Sequence, residues 1–251
     1  MLTIEHASLS DRGRIRFNNE DSCGQFVPTT DEQMEDLGTV FVVADGMGGH
    51  RGGEIASRIA VRSILAFYSA NSDEDRSQAL ARAFREANTT IIQESVADST
   101  LFGMGTTCTA VALQRGKAYF AHVGDSRAYL LRQGRLSQLT HDHSIVGEMV
   151  RSGIISDEDA RNHPKRNVIT RSLGAQDDIA ADTPAVPMAL EPGDTFLLCS
   201  DGLTSYLSDD DIAAVLTTGS PEEACKKLVK MANEQGGRDN ITVQVIRVKT
   251  L

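Results

Sequence analysis

Four aspartates in this 251-residue chain stand at the edges of hydrophobic runs with glycine close by. Asp45 follows the apolar stretch 40–44 and precedes Gly46, and Asp125 comes after residues 119–123 and Gly124. Asp201 follows residues 196–200 and precedes Gly202, and Asp239 comes after Gly236, Gly237 and Arg238. Glu20 and Asp21 add a neighbouring acidic pair behind Asn18 and Asn19. A carboxylate at the end of a buried strand is costly unless something pairs with it. One such aspartate is ordinarily a turn residue; four in the same setting point to a common purpose. If the strand ends share one rim, up to six carboxylates converge, and their repulsion calls for cations between them. An all-oxygen donor set without a His/Cys cluster favours hard ions, Mg²⁺ or Mn²⁺, over zinc. Arg16, four residues before Glu20, supplies a guanidinium of the shape that forks onto a phosphate. These residue types suit metal-dependent hydrolysis of a phosphate ester.

Rival chemistries fail on spacing. The glycine-rich loop 45–53 lacks the third glycine of G-x-G-x-x-G, because Arg51 stands there, and the chain has no G-x-x-x-x-G-K-[ST]. A cysteine phosphatase needs an arginine six residues after its nucleophile, but the residues six after the four cysteines are Thr29, Gln114, Ser205 and Met231. No G-x-S-x-G marks a serine hydrolase. The triplet His141-Asp142-His143 reads as a polar turn entering a helix rather than as a metal triplet.

Several elements must position the acids. Strands are expected at 2–7, 39–44, 106–113, 118–123, 128–132 and 195–199, with a last one where Ile241, Val243 and Val245 alternate with polar residues. The continuous apolar run 39–44 suits a strand buried on both faces. Helical spacing predicts helices over 54–68 and 76–96. A third helix opens at Ser220, with Pro221 at its first position and Glu223 completing a capping box, and closes at Gly236-Gly237. A shorter helix follows Ser208, and residues 28–38 read as a surface loop between strands. Strand runs with intervening helix pairs imply sheets covered by helices.

Composition narrows the classes. With 40% hydrophobic and 24% charged residues the chain is of ordinary globular make-up. Its formal net charge of −10 argues against nucleic acid as a partner. No apolar run approaches the ~18 residues of a membrane span, and residues 1–5 do not open a signal peptide. Cys23, Cys108, Cys199 and Cys225 are scattered without a C-x-x-C pair. A reduced, cytoplasmic, monomeric protein with no membrane attachment is expected.

The motifs taken together resemble those of the PP2C-type, metal-dependent protein phosphatases (the PPM family), in particular the compact bacterial members. They are Ser10-Asp11-Arg12-Gly13, Arg16-Phe17-Asn18-Asn19-Glu20-Asp21, Asp45-Gly46-Met47-Gly48-Gly49, Gly105-Thr106-Thr107, Gly124-Asp125-Ser126-Arg127, Ser200-Asp201-Gly202 and Gly237-Arg238-Asp239-Asn240. Each alone is weak; in this order they are specific and span essentially the whole chain. The resemblance implies an α+β fold, a four-layer αββα sandwich of two antiparallel β-sheets flanked by helix pairs. It implies a single catalytic domain over 1–251, with a flap subdomain at roughly 144–185. It implies two to three Mn²⁺ or Mg²⁺ ions. Asp45, bridging, and the Gly46 carbonyl would hold a metal pair, with Asp21 on one side and Asp201 and Asp239 on the other. Asp125 with Asp201 would hold a third ion, Glu20 would orient the attacking water, and Arg16 would bind the substrate phosphate. Where eukaryotic relatives carry a histidine after the Asp-Gly pair, this chain has Met47, which leaves His50, three residues on, or a metal-bound water as the candidates for the general acid. The implied activity is hydrolysis of phosphoserine and phosphothreonine in proteins, opposing a cognate Ser/Thr kinase and acting on its substrates. The alternatives are a non-catalytic phosphoprotein-binding scaffold, or a phosphatase of another phosphate ester.

Overall fold

A computed structural model describes residues 2–48, 52–70 and 75–251. Its elements run in the order β1 (Thr3–Asp11), β2 (Asp21–Phe26), α1 (Asp31–Asp36), β3 (Thr39–Met47), α2 (Gly52–Ala70), α3 (Arg76–Ala97), β4 (Gly105–Thr106), β5 (Cys108–Gln114), β6 (Lys117–Val123), β7 (Arg127–Arg132) and β8 (Arg135–Gln138). They continue with α4 (Ile145–Arg151), α5 (Asp157–Asn162), β9 (Met188–Ala189), β10 (Thr195–Cys199), α6 (Asp201–Thr204), α7 (Asp209–Leu216), α8 (Pro221–Glu234) and β11 (Ile241–Thr250). One sheet has the order β1-β11-β10-β7-β8; the other has β2-β3-β5-β6-β9, with β4 also paired to β3. Every strand pairing in both sheets is antiparallel.

Side-chain alternation along the strands builds the layers. Phe41 and Val43 of β3 meet Phe196 and Leu198 of β10 and Ile246 and Val248 of β11 between the two sheets. The alternate residues Val40, Val42 and Ala44 face the other way, against Ile64 of α2 and Leu80 and Phe84 of α3. On the far side, Leu197, Val243 and Val245 pack against Leu228 and Val229 of α8 and Ile212 of α7. Central strands are therefore buried on both faces, which is why they read as continuous apolar runs. The result is the expected αββα sandwich. No helix among the described residues is long and apolar enough to cross a membrane.

The structure departs from the sequence reading in several places. β1 continues past residue 7 to Asp11, because its polar half pairs residue by residue with β11 as far as Asp11↔Ile241. Residues 28–38 are not wholly loop: Thr30 caps the short helix α1, whose residues are all solvent-accessible. Asp45 and Gly46 lie inside β3 rather than after it. Asp21 opens β2, and Asp201 opens the one-turn helix α6. The first polar residues of β11 do not face water, since Thr242 and Gln244 are fully buried. Thr242 Oγ1 bonds Ser10 Oγ at 2.7 Å, and Gln244 donates to Ser8 Oγ at 3.1 Å and to the Gly24 carbonyl at 3.2 Å. Residues 144–185, expected to be irregular, include α4 and α5, each opened by a serine cap at Ser144 and Ser156. The capping boxes at Ser208 and Ser220 form as the sequence implies for α8, and Pro221 leads that helix.

Candidate active site

Asp21 and Asp45 face each other directly across the antiparallel pair β2–β3. Like charges in that position weaken a sheet, so the pairing implies a positive counterpart. The backbone beneath Asp45 is clamped. Its N–H donates to Thr107 Oγ1 at 3.0 Å, and its carbonyl accepts from Thr107 N–H and Thr106 Oγ1, both at 2.9 Å. Thr107 Oγ1 in turn bonds Ser126 Oγ at 2.7 Å. The backbone of residue 45 is thereby fixed without using its carboxylate, which meets that of Asp201. This gives the Gly105-Thr106-Thr107 motif a physical role that the sequence reading did not assign.

The segment carrying Arg16 and Glu20 is tied to the far sheet by Asn240. Its side-chain Oδ1 accepts from Glu20 N–H at 2.8 Å, and its Nδ2 donates to the carbonyls of Arg12 and Asn18 at 3.0 and 2.9 Å. The Glu20 carbonyl accepts from Gly46 N–H at 3.1 Å and Ser57 Oγ at 2.6 Å. Asn240 stands in the motif Gly237-Arg238-Asp239-Asn240, but the sequence reading gave it no role. Ser200, in the motif Ser200-Asp201-Gly202, was likewise given none. It donates to Asp21 Oδ2 at 2.8 Å and accepts from Thr242 N–H at 3.0 Å. The other oxygen, Asp21 Oδ1, is buried with no partner.

Two of the Asp-Gly pairs have a steric rather than a conformational reason. A Cβ on Gly202 would collide with the Asn240 carbonyl, and one on Gly46 with the carbonyls of Gly53 and Glu20. These glycines let neighbouring backbone close in around the aspartates. Gly202→Ala should therefore cost about 1–3 kcal/mol and lower Tm by several degrees. Thermal unfolding of the variant checks this, and a melting curve that overlays wild type would contradict the close approach.

The electrostatics centre on Asp45. Its carboxyl is pushed well above the usual range by burial first, and then by Asp21, Asp201, Asp125 and Asp239. Asp21 is raised by burial and by Asp201 and Asp239, against the hydrogen bonds from Thr242 and Ser200. Asp201 is raised by burial and by Asp239. Asp125, 7% exposed after the left-handed Gly124 (φ 111°), is raised by burial, Asp201 and Asp142. Glu20 is raised chiefly by burial, while Arg16 pulls it down. Arg16 Nη2 lies 2.7 Å from Asp239 Oδ2. The structure thus brings Arg16, Glu20, Asp21, Asp45, Asp125, Asp201 and Asp239 into one neighbourhood. His50 lies outside the described residues.

This donor set fits hard divalent cations: every side-chain donor is oxygen, the carboxylates repel one another, and a buried oxygen of Asp21 has no partner. Among the described residues no three acid, histidine or cysteine side chains close into a tight ligand cluster. The carboxylates lie near enough to raise one another, and Mg²⁺-like ions keep several waters and take one or two carboxylates each.

The triplet 141–143 does not converge on a metal. Asp142 grips Arg127 through both oxygens, at 2.9 and 2.7 Å. His143 Nδ1 accepts from Gly124 N–H at 3.1 Å, and its Nε2 faces Asp182 Oδ2 at 3.0 Å. The His141 carbonyl lies 3.1 Å from His122 Nε2. No thiol offers a nucleophile: burial pushes Cys23 up to about 11 and Cys199 and Cys225 up to about 12. A cavity of about 660 Å³ opens from Asp125 and Asp201 towards α4 and α5.

Comparison with known proteins bears on the family and the fold. A sequence model of the family described as protein phosphatase 2C matches residues 17–241. The serine/threonine phosphatase stp of Listeria welshimeri is 40% identical over 247 residues, covering 96% of this chain and 95% of its own. Protein phosphatase PhpP of Streptococcus pneumoniae is 37% identical over 246 residues, covering 97% of each. The crystal structure of the Mycobacterium tuberculosis serine/threonine phosphatase PstP/Ppp superposes with a TM-score of 0.88 at 34% identity, covering 100% of both chains. The catalytic domain of PstP in complex with two manganese ions gives a TM-score of 0.87 at 34% identity, again over 100% of both chains.

Proposed function

The chain belongs to the protein phosphatase 2C family, and from that premise we propose how its residues divide the work of a metal-dependent serine/threonine protein phosphatase. The enzyme class and the dependence on divalent metal follow from the family and its relatives. The observation that carries the site assignment is the crowding of four aspartate carboxyls around Asp45.

Asp45, the Gly46 carbonyl, Asp21, Asp201 and Asp239 would hold a pair of ions. Asp125 and Asp201 would hold a third. The ions are Mn²⁺ or Mg²⁺, and when bound they supply a water activated near neutral pH and neutralise charge on the phosphoryl oxygens. The chain's own residues do the rest. Glu20 accepts a hydrogen bond from the attacking water and aims it in line with the leaving oxygen. Arg16 forks onto the non-bridging phosphoryl oxygens. Its partner in the structure is Asp239, with Arg16 half-exposed and so within reach of a substrate phosphate. Burial raises all four thiols, which disfavours a cysteine nucleophile, and direct attack by water needs no covalent phosphoenzyme.

The substrates are proteins bearing phosphoserine or phosphothreonine, the products of a cognate Ser/Thr kinase, and the enzyme works as a cytoplasmic monomer. Residues 144–185 act as its flap. Phosphate release from a phosphothreonine peptide should occur with Mn²⁺ or Mg²⁺ and stop with EDTA. Arg16→Ala should raise KM about tenfold or more while leaving the rise in Tm on adding Mn²⁺ intact. Release in EDTA, or an unchanged KM, would overturn the corresponding assignment.

A further inference from the structure

The cavity beside Asp125 and Asp201 is larger than one phosphoryl group requires. Its volume of about 660 Å³ lies within the roughly 300–1,000 Å³ typical of sites that enclose a whole small ligand. One wall is basic: Arg151 from the last turn of α4, Arg161 from α5, and Arg166 just beyond it. All three side chains are exposed, and none forms an ion pair among the described residues. The floor carries Arg127, but that guanidinium is already spent on Asp142 through two oxygens. The facing wall is acidic, with Asp209 and Asp210 at the start of α7.

We infer that Arg151, Arg161 and Arg166 form an anion subsite that receives a second acidic group of the phosphoprotein, a phosphate or a carboxylate near the residue being hydrolysed. The inference rests on the phosphatase reading above. Three exposed guanidinium groups outside any close ion pair among the described residues, with Arg161 feeling a nearby acid, Asp211, line one wall of a cavity that reaches Asp125 and Asp201 and attract an anion that stays attached to the substrate. Guanidinium forks suit both phosphate and carboxylate. The acidic wall opposite repels the same group, so the anion is directed to the α4–α5 side and the peptide is oriented across the cavity. The catalytic carboxylates are themselves acidic, and Arg16 is assigned to the phosphate being hydrolysed, so a second acidic group needs a positive counterpart of its own.

The test compares peptides of one sequence: singly phosphorylated on threonine, doubly phosphorylated, and singly phosphorylated with glutamates at the second position. Wild type should show kcat/KM about tenfold higher for the doubly phosphorylated peptide, and a smaller preference for the glutamate peptide. In the Arg151→Gln/Arg161→Gln/Arg166→Gln variant the ratio should collapse towards one. If the triple variant fails to fold, each single variant should lower the ratio partway, since all three positions are exposed. A wild type without preference overturns the subsite. So does a variant that slows all peptides equally with the ratio preserved, because that marks closure of α4–α5 onto Asp209 and Asp210 instead. Wild type that hydrolyses none of the peptides overturns the phosphatase reading itself.

Discussion

Asp45→Asn removes phosphatase activity, lowering kcat by about a thousandfold or more, and at the same time makes the metal-free protein melt higher than wild type. The two effects share one cause. Asp45 interacts with four other carboxylates, and its own ionisation is opposed by burial and by all of them. Asparagine keeps the shape and removes one negative charge from the ring. The backbone of residue 45 stays fixed by Thr106 and Thr107, so the fold has no reason to give way. The sign follows from the raised carboxyl. A group whose folded pKa lies above its unfolded value lends its full stability only below the unfolded pKa, near 3.9 for aspartate, and loses it as pH rises. At neutral pH the ionised Asp45 is a cost, and asparagine removes it. Thermal unfolding in EDTA and phosphate release with Mn²⁺ read the two arms. A variant that keeps a tenth of wild-type turnover, or that melts lower in EDTA, would sink the assignment of Asp45 as the hub of the metal site.

What the sequence made legible follows from periodicity and local chemistry. The run 39–44 reads as a two-face-buried strand because Val40, Val42 and Phe41, Val43 serve different layers, and all are apolar. The α8 start is legible because Ser220, Pro221 and Glu223 act within one turn. The acids are legible because aspartate beside glycine at four strand edges is hard to explain otherwise. The supports of the site were not legible. Asn240 holds Glu20 across 220 residues of chain, and Ser200 reaches Asp21 across 179. No window of sequence contains both partners. The same holds for the second half of β1, whose Ser8 and Ser10 look like turn residues until β11 pairs with them. Thr242 and Gln244 are the polar positions of an alternating strand, a pattern that ordinarily marks a solvent face. They point instead between the sheets, where a layer that is apolar at Phe196 and Ile246 becomes polar towards Asp21.

Metal and pH should act on stability through this same ring, and the second large effect is the response to chelation. Each ion bound at a hundred times its Kd adds about 2.7 kcal/mol. Two ions therefore raise Tm by roughly 10–20 °C for a chain of this size. The shift should shrink as pH falls, because protons then neutralise the same carboxylates. In the metal-free folded state Asp21 is pushed up to about 7 and Asp201 to about 6, against about 3.9 in the unfolded chain. Across that interval the folded state binds more protons than the unfolded one, so stability falls as pH rises. Lowering the pH from about 8 to about 6.5 in EDTA should accordingly raise Tm. Below about 6.5 the trend is opposed, since burial holds His122 down to about 4 and lowers His143 as well. Those rings are neutral in the fold and charge on unfolding, so they withdraw stability as pH drops further. The window between about 8 and 6.5 therefore isolates the carboxylates, whose reference pKa lies far below it. A chelated protein whose Tm declines through that window, or one whose Tm is indifferent to Mn²⁺ at its upper end, would show that the acidic ring is not held apart by cations.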